Sequence, residues 1–214
     1  MAIDSQSIFI VGCGPGSLDY LTSAALRAIE QAEVLVGARR LLDLFPSSPA
    51  ERITVNADID EALDDLAKRA DRQRVAVLVT GDPGLFSLAK LVIERFGLAR
   101  CRVIPGVSSV QTAFARIGID WADARIISVH KEYPALDLQL LETPKIAILC
   151  GREGSTKWIA DHLLTCEATG RRIFVCQNLT MDDEQILEVD PADLATLNVG
   201  PSTIVLVIRG KVFQ

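Results

Sequence analysis

Between Arg74 and Thr80 the chain is an almost unbroken aliphatic run, RVAVLVT, that stops at Gly81-Asp82-Pro83-Gly84. A strand that is apolar at every position, rather than at alternate ones, is buried on both faces. Two-sided burial points to a parallel sheet with helices above and below. The turn that ends the run is equally informative. Gly81 and Gly84 allow backbone conformations and close approaches that a side chain blocks, and Pro83 fixes φ and removes a donor. Asp82 is left as a single carboxylate at the carboxyl end of a strand, the edge where open α/β sheets take their ligands. Asp82 can equally be the cap of the next helix.

The same event recurs twice. Ser7–Val11 reads as a first strand and runs into Gly12-Cys13-Gly14-Pro15-Gly16; Cys101–Ile104 reads as another and runs into Pro105-Gly106, with Ser108 and Ser109 placed to cap a helix. A dinucleotide fingerprint needs G-x-G-x-x-G and an acid ending the second strand, whereas this loop is G-x-G-x-G and the second strand, Glu33–Gly37, ends in glycine. That argues against a nicotinamide cofactor. The loop also resembles motif I of Rossmann-type methyltransferases, although Ile10 stands where those enzymes usually carry an acid.

The 214 residues suffice for one large or two small domains, and 49% hydrophobic content argues against disorder. A net charge of −6 makes a nucleic-acid partner an unsuitable reading. No apolar run has the length of a membrane span, and the first residues lack the pattern of a secretion signal, so the expected location is the cytoplasm. Five scattered cysteines show neither disulfide-framework nor metal-ligand spacing, and no metal is expected.

Strand and helix alternate throughout. Thr22 is a candidate cap for a helix with Leu21, Ala25, Leu26 and Ile29 on one face; Asp58 and Glu61 form a candidate capping box; a helix is expected over Leu85–Phe96, with Gly97 as its C-cap. Arg39 and Arg40, directly after the second strand, are candidates to receive substrate carboxylates by paired hydrogen bonds. A solvated surface pair is the alternative. The pattern restarts after Gly118–Asp123, and the expectation is two α/β domains, 1–117 and 118–214, with the ligand between them.

Taken together, Gly12–Gly16 with Leu21-Thr22, Gly81–Phe86, Pro105–Ser109 and Val175–Glu184, in this order and spacing, resemble the tetrapyrrole (corrin and porphyrin) methyltransferase family over nearly the whole chain. Within it, Val36–Leu42, Pro105–Gln111 and Asn178–Glu184 are most similar to the carbon-5 methyltransferases of cobalamin biosynthesis that act on precorrin-6Y or cobalt-precorrin-7. The resemblance implies S-adenosylmethionine as cofactor, contacted by Pro15, Gly81, Asp82, Leu85, Ser108, Ser109, Leu149, Cys150 and Thr203. It implies a tetrapyrrole substrate, a homodimer, and a separate protein for methylation and decarboxylation at carbon 15.

Methyl transfer from a sulfonium needs alignment and exclusion of water rather than a nucleophilic triad. His130, ending the first strand of the second half, is the candidate base, and Lys131 a candidate for a substrate carboxylate. Relatives often continue this strand as His-Gly-Arg, whereas here it reads His130-Lys131-Glu132. The other readings are a Rossmann-type methyltransferase for another small molecule and a tetrapyrrole carrier without activity.

Overall fold

A computed structural model describes residues 7–130, 132–134, 142–165 and 170–210. The chain divides between Ser108 and Ser109 into two units. The sequence reading draws the boundary at 117/118; the helix α5 that separates the two positions (Ser109–Arg116) packs on a strand of the second unit.

In the first unit, β1 (Ile8–Gly12), β2 (Val34–Gly37), β3 (Glu51–Thr54), β4 (Val75–Val79) and β5 (Cys101–Ile104) form a parallel sheet in the order β3-β2-β4-β1-β5. Every residue of β1, β2 and β4 is buried, as their unbroken aliphatic sequences require. Each such side chain stabilises the fold by roughly 1.5–3 kcal/mol, so a single charge at Val77 is enough to break the layer.

The helices divide between the two faces. Ala25, Ala28 and Ile29 of the helix Ser23–Glu30, with Leu41 and Leu42, cover one face; Ala62, Leu63 and Leu66, with Ala89 and Val92, cover the other. Leu26, expected on the inward face, is 42% exposed, because the buried stripe runs through Ala25, Ala28 and Ile29 instead. From β1 the chain leaves over one face toward β2, and from β4 it leaves over the opposite face toward β5. The carboxyl ends of β1 and β4, paired Gly12 to Val79, are therefore the topological switch point of this sheet.

The caps behave as the sequence predicts. Thr22 Oγ1 accepts from Ala25 N at 3.1 Å and Asp58 Oδ1 from Glu61 N at 3.1 Å, while Gly97 ends its helix at φ 81°. The helix expected from Leu85 begins only at Ala89, and residues 82–88 are a separate turn.

The second unit holds a mixed sheet, β6-β7-β10-β8-β9, built from β6 (Arg125–Ser128), β7 (Lys145–Cys150), β8 (Arg171–Gln177), β9 (Gln185–Val189) and β10 (Thr203–Arg209). Only β6 and β7 run parallel; the remaining pairs are antiparallel. Residues 117–124 are tied to this sheet by buried Lys145, whose ammonium lies 2.8 Å from Asp120 and 2.6 Å from Asp123. No helix among the described residues is long and apolar enough to cross a membrane.

Candidate active site

At the switch point of the first sheet, three glycine bends touch one another through their backbones. Cys13 N donates to Val79 O at 2.9 Å, and Gly14 and Gly81 exchange N–H···O bonds of 3.3 and 2.7 Å. A Cβ on Gly12 would lie 2.5 Å from Gly106 N and 2.7 Å from Gly81 O; one on Gly106 would lie 2.3 Å from Gly81 O. All of these neighbours are main chain and cannot turn aside. The sequence reading takes these glycines to make room for a ligand. The room that Gly12 and Gly106 make is for each other.

Asp82 locks the arrangement. Its Oδ1 accepts from Gly84 N at 2.8 Å and its Oδ2 from Gly106 N at 3.1 Å, so one side chain braces two bends. The cap reading fails because the next helix starts seven residues later. A carboxylate has roughly four acceptor positions, and two are filled here. Around Asp82, Pro15 and Gly81 are buried, Leu85 is half-buried with its N–H on Asp82 O at 3.1 Å, and Phe86 is 60% exposed at φ 45°. A bulky residue in the left-handed region is strained, and here it projects a phenyl ring from the edge.

The adjacent arginines part company. Arg40 Nη2 donates to Thr80 Oγ1 at the end of β4; burial of the guanidinium lowers its pKa from the ordinary value, and the nearby Cys13 sulfur opposes that shift. Arg39, exposed like Arg40, pairs instead with Asp43 at 3.8 Å. Ser108, nearly buried, closes the first unit, and Ser109 opens α5.

In the second unit, the candidate positions Leu149, Cys150 and Thr203 meet at one sheet edge, where Thr203 pairs with Cys150 and Ile204 with Leu149. Thr203 is buried and its hydroxyl donates to Gly200 O at 2.8 Å. Burial pushes the Cys150 thiol up to about 12, although a backbone hydrogen bond near Val205 works against it. The Cys150 thiol is therefore protonated at neutral pH.

His130 follows β6 at the same edge, with Val129 N bonded to Leu149 O at 3.0 Å. Although the residue as a whole is exposed, partial burial of its ring lowers its pKa below the usual histidine value. Desolvation thus disfavours the charged form of the ring. Lys131 lies outside the described residues.

The stretch after β8 belongs to this edge as well. Asn178 and Thr180 adopt φ of 49° and 70°; Asn178 Nδ2 donates to Asp183 Oδ2 at 2.7 Å, Thr180 N donates to Glu184, and Arg116 Nε of α5 donates to Glu184 Oε1 at 2.7 Å. Sequence reasoning assigns this loop only by resemblance. Its strained, braced geometry depends on Arg116, 68 residues away, which no local pattern announces.

The profile of the family described as Tetrapyrrole (Corrin/Porphyrin) Methylases matches residues 7–195. The chain is 34% identical over 177 residues, 83% of its length and 87% of the relative's, to the cobalt-precorrin-7 C(5)-methyltransferase of Salmonella typhimurium. Among solved structures, the precorrin-6Y methylase of Archaeoglobus fulgidus superposes with a TM-score of 0.73 at 26% identity, over 96% of this chain and 98% of that one. Uroporphyrin-III C-methyl transferase from Thermus thermophilus, complexed with S-adenyl homocysteine, gives 0.78 at 23% identity over 97% and 93%.

Proposed function

Because the chain belongs to the tetrapyrrole methylase family, we propose that it transfers a methyl group from S-adenosylmethionine to carbon 5 of cobalt-precorrin-7 in cobalamin biosynthesis. The observation that carries the cofactor half of this reading is the half-filled Asp82 carboxylate between the Gly81 and Gly106 bends. S-adenosylmethionine has an ammonium and a ribose diol to donate and no phosphate to neutralise, so it suits one carboxylate and backbone groups. A diphosphate suits clustered N–H groups and cations instead. When bound, the cofactor supplies an electrophilic methyl group whose carbon–sulfur bond breaks as the bond to the ring carbon forms.

The chain's own residues then have three tasks. Asp82 orients a donor-rich ligand while holding the bends that exclude water, and Pro15, Gly81, Leu85, Ser108, Ser109, Leu149, Cys150 and Thr203 complete the cofactor contacts. Arg40, presented at the end of β4, receives a side-chain carboxylate of the macrocycle, with Lys131 and Arg39 as further candidates. His130, beyond the end of β6, accepts the proton lost after methylation. Holding the reactants in line accounts for most of the acceleration.

The test is the product formed from S-adenosylmethionine and cobalt-precorrin-7: a corrinoid one methyl group heavier, substituted at carbon 5. Cofactor binding without transfer supports the carrier reading, and a methyl group at another carbon overturns the substrate assignment. The same reading carries the expectations of a homodimer, a separate protein acting at carbon 15 and a cytoplasmic location; sedimentation equilibrium tests the first of these.

A further inference from the structure

β7 ends at Cys150, and Gly151 follows beside His130, two residues past the end of β6. A Cβ built on Gly151 would stand 1.8 Å from His130 Nδ1, 2.2 Å from Cε1 and 3.1 Å from Cγ. The imidazole therefore occupies the volume that any other residue at 151 would fill with its own side chain. Gly151 is not among the glycines with positive φ. Its small size serves the ring and not the backbone.

The next two residues hold the chain on the far side of His130. Tyr133 stacks on Trp158 with centroids 5.1 Å apart and planes inclined by 18°, its hydroxyl donates to Glu153 O at 3.0 Å, and the Arg152 guanidinium lies 5.0 Å from its ring centroid. Trp158 meets His162 at 4.6 Å, and His162 Nδ1 lies 2.7 Å from Trp158 O. One turn, 151–153, thus seats the His130 ring and clamps the segment that leaves it.

We propose that Gly151 is a positioning residue for methyl transfer, its absent side chain being the seat that holds His130 in place, with the Tyr133 clamp fixing the seat from the other side. The inference rests on the role given to His130 above. An imidazole displaced by about 1 Å is enough to cost on the order of 100-fold in rate.

The experiment compares Gly151→Ala, His130→Ala and the double variant in the full-length protein. Gly151→Ala is expected to lower kcat about 100-fold, with KM for both substrates unchanged and the double variant no slower than His130→Ala alone. In proton NMR the His130 ring signals shift in Gly151→Ala, with His162→Gln assigning the other of the chain's two histidines. Full activity in His130→Ala overturns the proton-acceptor role and the inference with it. Loss in His130→Ala alongside a normal kcat in Gly151→Ala, or a multiplicative loss in the double variant, overturns the positioning role alone. Should Gly151→Ala fail to fold, Tyr133→Leu, which removes the clamp and spares the seat, is expected to lower kcat about tenfold; an unchanged kcat there overturns the proposal.

Discussion

At the edge of the first sheet the bends meet through main chain: Gly12, Gly81 and Gly106 touch with no side chain between them, and the carboxylate that braces them, Asp82, accepts from backbone N–H groups. At the edge of the second sheet the contacts are made by side chains: His130 on Gly151, Tyr133 on Trp158, Arg116 on Glu184. The first arrangement tolerates no added atom but asks little of surrounding identity. The second depends on pairs of residues far apart in the chain.

That contrast is broken most severely at Gly106. Alanine there puts a methyl carbon 2.3 Å from a carbonyl oxygen that cannot move, and a loss of at least about 3 kcal/mol in urea denaturation is expected. Gly97→Ala, where φ is 81° but nothing lies within 4 Å, costs about 1 kcal/mol by backbone strain alone. Equal losses at the two positions would mean that the bends are not dovetailed.

Lys145 sharpens the other half of the comparison. Replacing both partners, Asp120→Asn with Asp123→Asn, strands a buried ammonium and lowers Tm, whereas Lys145→Met leaves two hydrated carboxylates and lowers it far less. The hydrogen bond from Lys145 depresses the Asp120 pKa against a smaller desolvation effect. Its contribution is therefore complete above the ordinary carboxylate range and is lost as pH falls through the depressed value, which acid titration of Tm reads directly.

Asp82→Ala removes the shared acceptor of two bends and is expected to weaken S-adenosylmethionine binding by about 2 kcal/mol, roughly 30-fold in calorimetry. Unchanged affinity would confine Asp82 to its structural bonds. The smallest effect separates the neighbouring arginines. Arg40→Ala is expected to raise the tetrapyrrole KM about fivefold, while Arg39→Ala, whose partner is an exposed Asp43, changes it by less than twofold.

How much of this could be read beforehand follows from the same distinction. The aliphatic runs RVAVLVT and IFIV announce buried parallel strands, and glycine at each strand end announces a bend, because period and punctuation are local. Three outcomes escaped that reading, the last two because they join residues far apart in the chain. The helix after Pro83 starts late because residues 82–88 make a turn of their own, with Ser87 Oγ bonded to Pro83 O at 2.5 Å. Asp82 serves Gly106, 24 residues on, rather than the helix beside it. Gly151 carried the available signal, a glycine at a strand end, but its partner His130 comes from a different strand and only the fold joins them.

The buried cysteines give this architecture a chemical safeguard. Cys13 lies in the first bend and Cys150 at the end of β7, and burial pushes both thiols up to about 12. Only the thiolate competes as a nucleophile, and at neutral pH such groups are almost wholly protonated. Neither thiol is therefore poised to react with an electrophile, and both act as small apolar filling of their own sheet's core.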